Sequence, residues 1–151
     1  MMSEEVSKKK KVSIREGLFT VSVDGTEFIS LQGSRCVHCG EVGLGSLKLC
    51  ANCGHKDLDV IPLSKEGQLW TYTVIRHEPP GDYKGPKPFK PFGVGLVELP
   101  EGLRVLSVIA CGLDDLRVGM NMILDVFLLY RDDENNDVMT FRFKSTEETG
   151  Q

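Results

Sequence analysis

Two paired Cys-x-x-Cys turns, five apolar runs with a spacing near two, and no sustained 3.6-residue repeat predict an all-β chain. Its expected parts are an N-terminal hairpin and zinc ribbon over residues 18–63, followed by a five-stranded OB-fold barrel over residues 64–144. Residues 1–17 and 145–151 are expected to be flexible tails. The chain has 151 residues, 40% of them hydrophobic and 26% charged. That leaves room for a small metal module joined to a barrel of about 100 residues, and not for a large two-domain enzyme.

The N-terminal part rests on local chemistry. From Leu18 to Ser34, two short apolar-rich runs flank Asp24-Gly25, a dipeptide that favours a two-residue hairpin turn. The pattern Cys36-x2-Cys39-x10-Cys50-x2-Cys53 follows, with Gly40 and Gly54 directly after the two pairs. Four soft thiolates on tight glycine turns are what tetrahedral Zn²⁺ takes. Four protein sulfurs fill the coordination sphere, so the expected zinc is structural and offers no position to water or substrate. Iron bound as in rubredoxin uses similar turns, but nothing else in the chain points to electron transfer. Five cysteines, four of them in close pairs, fit metal ligation in a reducing compartment better than a secreted disulfide framework. Leu58–Leu63 reads as the strand that leaves the ribbon.

Beyond Ser64, the expected strands are Gly67–Glu78, Phe92–Leu99, Leu103–Cys111, Met120–Tyr130 and Val138–Lys144, with one helical turn within Leu113–Val118. Gly67, Gly93, Gly95 and Gly119 stand where a curling sheet can bend, which favours a barrel over a small β-sandwich.

Between the first two of these strands lies Pro79–Pro91, which carries Pro79, Pro80, Pro86, Pro88 and Pro91 and so cannot be a central strand. Lys84, Lys87 and Lys90 in this loop are candidates to meet phosphates, and Tyr83, Phe89 and Phe92 to meet an apolar or ring surface. The same residues would serve single-stranded nucleic acid on an OB barrel, the alternative function. A formal net charge of -4 makes that groove thin.

No catalytic residues are expected. His38 and His55 read as exposed polar residues beside the knuckles, and His77 as a loop residue without a nucleophile or an orienting acid. Cys111 reads as a small core hydrophobe, and Asp114-Asp115 and Asp132-Asp133 as turn carboxylates. No window approaches the roughly 18 apolar residues of a membrane span. The run Lys8–Lys11 follows Glu4 and Glu5 and leads into no signal-peptide core. The protein is therefore expected in the cytoplasm, with no membrane partner.

The order of parts resembles a family in which a rubredoxin-like zinc ribbon precedes an OB-fold, the acyl-CoA-associated proteins that partner thiolases. The resemblance runs from about Leu18 to Lys144. It rests on Gly33-Ser34-Arg35-Cys36 with the paired knuckles, Gly67-Gln68-Leu69-Trp70-Thr71-Tyr72-Thr73-Val74, Pro91-Phe92-Gly93-Val94-Gly95-Leu96-Val97-Glu98-Leu99, and Asp114-Asp115-Leu116-Arg117-Val118-Gly119-Met120. The chain departs from many relatives at Gly43-Leu44-Gly45-Ser46-Leu47-Lys48, where they carry a Phe-Pro segment. The resemblance implies a non-catalytic subunit in a hetero-oligomer with a thiolase-like catalytic subunit. In such a complex the chemistry lies in the partner, and the small subunit helps to form the site for a CoA ester.

Overall fold

A computed structural model of the chain describes residues 11–25, 27–81 and 87–146. Its strands are β1 (Lys11–Ser13), β2 (Phe19–Val21), β3 (Phe28–Cys36), β4 (Val42–Leu44), β5 (Leu58–Pro62), β6 (Glu66–Ile75), β7 (Phe92–Glu98), β8 (Arg104–Ala110), β9 (Asn121–Arg131) and β10 (Asp137–Ser145). The only helical piece among the described residues is the 3₁₀ turn Leu113–Asp115. No helix is long and apolar enough to cross a membrane among them.

β3 organises the N-terminal part. Its first half pairs with β2, and its second half lies between β4 and β5, all antiparallel. A strand of three residues such as β2 or β4 has no independent stability, so both depend on the nine-residue β3. The β2–β3 connection is wider than the two-residue turn expected at Asp24-Gly25. Ser22 N–H donates to the Glu27 carbonyl at 2.9 Å, and the Ser22 hydroxyl accepts the Glu27 amide at 3.2 Å while donating to the Asp24 carboxylate at 2.6 Å. The serine thus closes the loop one pair earlier than the dipeptide would.

β6 to β10 form a closed ring in the order β6-β7-β8-β10-β9-β6, and closure removes the sandwich alternative. All pairs are antiparallel except β8–β10. Strict alternation on β7 and β8 buries Val97, Val105, Ser107 and Ile109 inside the ring. Gly95 is required by close approach, because a Cβ there would lie 2.5 Å from the Thr71 carbonyl oxygen. That contact falls beside a β-bulge at Trp70, where the β6–β7 register shifts.

Lys11–Ser13, within the segment read as a tail, instead forms β1 and pairs in parallel with the start of β10. One apolar residue in three gave no alternation to read, and the partner lies at the far end of the chain.

Ribbon and barrel share a core. Leu31 and Leu63 from the N-terminal part are 0% and 3% exposed and belong to the same apolar cluster as Leu69, Val97, Leu99 and Phe143. Polar bonds fix the junction as well: Leu63 N–H donates to the Leu31 carbonyl at 2.9 Å, and the Ser64 amide and hydroxyl donate to Glu101 Oε2 at 3.1 and 2.8 Å. A shared core predicts one cooperative unit. Leu63→Ala should therefore lower stability by about 2–5 kcal/mol. Trp70 fluorescence and far-UV circular dichroism should still report one coincident transition, whereas two separate transitions would show that ribbon and barrel melt independently.

Candidate metal centre and exposed apolar face

Each cysteine pair forms the same knuckle. Cys36 accepts the Gly40 amide on its carbonyl at 2.9 Å, as Cys50 does for Gly54, and the two glycines adopt φ of +83° and +81°. Only glycine takes that conformation without strain, which is why it follows both pairs. The turns bring the Cys36, Cys39, Cys50 and Cys53 sulfurs within 4.8 Å of one another. Cys36–Cys53 and Cys39–Cys50 lie at 3.6 Å, and all four cysteines are free thiols. Sulfurs about 2.3 Å from a common tetrahedral centre stand about 3.8 Å apart, so this geometry fits one four-coordinate ion.

The surroundings of the sulfurs are unequal. Cys36 and Cys50 are buried, Cys39 and Cys53 exposed. Cys36 Sγ accepts the Cys39 amide at 3.4 Å, and Cys50 Sγ accepts the amides of Asn52 and Cys53 at 3.3 and 3.4 Å. The Asn52 side-chain amide, followed by the Glu41 backbone amide, draws the Cys39 thiol down to about 6. At Cys53 the His55 amide acts in the same direction, but burial and the three neighbouring sulfurs outweigh it and push the thiol up to about 12. Four crowded sulfurs cannot all ionise unaided, and a divalent cation among them removes the conflict. His38 and His55 are exposed as expected, yet they are not idle: His55 Nδ1 lies 3.3 Å from Cys53 Sγ, and the two imidazoles stack with centroids 3.8 Å apart. That arrangement was hidden in sequence because it depends on the knuckles facing each other.

The proline loop is described in part. Tyr83 and Lys84 lie outside the described residues. Lys87 Nζ lies 3.6 Å from a Glu78 carboxylate oxygen, Phe89 packs edge-on to Phe92 with centroids 6.1 Å apart, and Lys90 is exposed. The structure thus gathers Phe89 and Phe92 into one small aromatic group, while the Lys87 ammonium already faces an acid.

A second feature was overlooked in sequence. On the outer face of the barrel, Val94 pairs with Val108 and Leu96 with Leu106 across β7 and β8. Leu106 is 66% exposed and Val108 41%. Beside them, the bulge turns Trp70 outward, with the Arg104 guanidinium 3.8 Å above its ring and 3.3 Å from Glu98. The available signal was that Gly93–Val97 and Val105–Ala110 are nearly continuous apolar runs, the mark of strands covered on both faces.

The remaining candidates behave as structural groups. Cys111 packs partly against the core, where burial and then the Asp115 charge raise its thiol above the usual range. Asp132 accepts the amides of Glu134 and Asn136 at 3.0 and 2.8 Å, and the Asn136 bond first of all holds its carboxyl below the usual range. His77 is exposed beyond the end of β6.

Residues 60–126 match the family model described as ChsH2, C-terminal OB-fold domain. A DUF35 domain-containing scaffold protein of Methanocaldococcus jannaschii is 32% identical over 116 residues, which are 76% of this chain and 79% of the relative. The benzoylsuccinyl-CoA thiolase subunit BbsA of Geobacter metallireducens is 26% identical over 152 residues, covering 95% of this chain and 98% of that subunit. Among solved structures, the Ltp2-ChsH2(DUF35) aldolase superposes with a TM-score of 0.57 at 29% identity, over 77% of this chain and 84% of that one. A knuckled ribbon built onto a closed OB barrel, together with these matches, makes the chain a member of the DUF35 family.

Proposed function

We propose that the chain is a zinc-binding, non-catalytic subunit of a thiolase-type acyl-CoA acyltransferase complex. The observation that carries this reading is the aliphatic block Val94, Leu96, Leu106 and Val108 on the outer wall of the barrel. Strands with one wet face place polar residues there, so an apolar outer face marks a surface that another protein covers. Relatives named as a thiolase subunit and as part of an aldolase support a catalytic partner for that face. In its most specific form, the partner is a thiolase of the benzoylsuccinyl-CoA type, because that subunit matches nearly end to end.

Within the complex, the four thiolates hold Zn²⁺ as a structural ion, which supplies cross-linking of the two knuckles and no open coordination position. The partner brings the reacting groups. Lys84, Lys87 and Lys90 meet CoA phosphates, and Tyr83, Phe89 and Phe92 cover its apolar arm; in support, residues 87–91 lead directly into β7, which bears Val94 and Leu96. Reduced thiolates fit a cytoplasmic location.

Three outcomes test this reading. Leu106→Lys with Val108→Lys should weaken capture of the co-expressed catalytic subunit by about 30-fold or more while leaving circular dichroism unchanged, because central interface anchors are worth about 2 kcal/mol; undiminished capture would refute docking at this face. Replacing Lys84, Lys87 and Lys90 together by alanine should raise the KM of the complex for its CoA ester several-fold without changing capture, and an unchanged KM would remove the loop from the site. Metal analysis should find one zinc per chain, and its removal by a chelator should abolish the ribbon's protection from proteolysis.

A further inference from the structure

All four sulfurs meet peptide amides, and the exposed two have side-chain neighbours as well. The buried pair, Cys36 and Cys50, accept peptide amides fixed by the knuckle backbone. The exposed pair are each met by a side chain from the second knuckle: Asn52 Nδ2 lies 3.5 Å from Cys39 Sγ, and His55 Nδ1 lies 3.3 Å from Cys53 Sγ. His55 is itself held. Its carbonyl accepts the Cys50 amide at 2.8 Å, and the His38 ring from the first knuckle lies flat on its imidazole, 10° from parallel. The first knuckle therefore supplies the stacking surface and the second the donors, so the shield exists only when both are in place.

We propose that Asn52, His55 and the stacked His38 form an outer cap on the metal centre that keeps the two exposed thiolates from exchange and electrophilic attack. Asn52 Nδ2–H donates to Cys39 Sγ. His55, with its proton on Nδ1, donates to Cys53 Sγ. A hydrogen bond withdraws charge from a thiolate and leaves it a better held ligand and a poorer nucleophile. The rings add cover, since a chelator must approach an outer sulfur before the ion can leave. His38 acts through His55 and is a positioning residue. The grouping of His38, Cys53 and His55 within 4.8 Å also admits a second metal ion bridged by the thiolate. Face-to-face imidazoles do not converge their in-plane lone pairs on one ion, which favours the cap.

The test uses the full chain loaded with zinc and needs no partner, so its result is independent of the docking proposal. Release to excess 4-(2-pyridylazo)resorcinol should be about 10-fold faster or more in His55→Ala, intermediate in His38→Ala, and partly restored in His55→Gln, which keeps a side-chain donor. Cys53 should be alkylated by iodoacetamide faster in the same order, as read by peptide mass spectrometry. In the cobalt-loaded chain, the thiolate-to-metal charge-transfer band should move to lower energy in His55→Ala, a signature that mere loss of packing does not produce. If His55→Ala does not fold, His38→Ala carries the same comparison. Wild-type release rates in both folded variants would overturn the proposal, as would two zinc ions per chain with one lost in His38→Ala.

Discussion

The N-terminal part depends on one constraint: two tight turns must be held face to face by groups that repel each other when charged. Residues 37–41 and 45–57 contain no strand, and the sheet they interrupt includes the three-residue β4. So little regular structure buries too little apolar surface to order those turns. A central cation would turn the repulsion of four sulfurs into four bonds, and the long strand β3 would carry the resulting rigidity toward the barrel. Leu31 on β3 and Leu63, one residue beyond β5 and hydrogen-bonded to Leu31, complete that path because both lie in the shared core.

The barrel has a different logic. Its five strands close without a metal because alternation fills the inside with Leu69, Val97, Val105, Ile109, Met122 and Phe143. What distinguishes it from a plain barrel is the outside. The bulge at Trp70 and the side-chain-free approach at Gly95 occur at the same turn of the ladder, and both serve to present β6, β7 and β8 as one wall with aliphatic pairs at its centre. The Glu98–Arg104 pair and the Trp70 ring border that wall, giving it a polar rim of the kind found around protein interfaces.

Much of this was legible in sequence. The knuckles were readable because ligand spacing and turn glycines are local, and the barrel strands because apolar runs of seven to eleven residues are set off by polar and glycine turns. Legibility failed wherever a feature depended on distant residues meeting. β1 is visible only from β10, the His38–His55 stack only once both knuckles are folded, and the approach of Glu78 to Lys87, a candidate phosphate contact, only once the loop is in place. The hairpin loop failed for the opposite reason: Ser22, three residues before Gly25, competes locally with the stronger dipeptide signal. The outer apolar face was in plain view as a continuous run, but a run alone does not say which side remains bare.

β10 pairs with β1, β8 and β9, more partners than any other barrel strand has, and it is made after all the others. During synthesis, the barrel therefore stays open until residue 145 has emerged, and its apolar interior is the last surface to be sealed. Both knuckles are complete by His55, so the four sulfurs can come together while most of the barrel has yet to be translated. The order of the two halves along the chain thus puts the sulfur-bearing module ahead of the half that folds late, and provides a core residue at Leu63 against which that half can close.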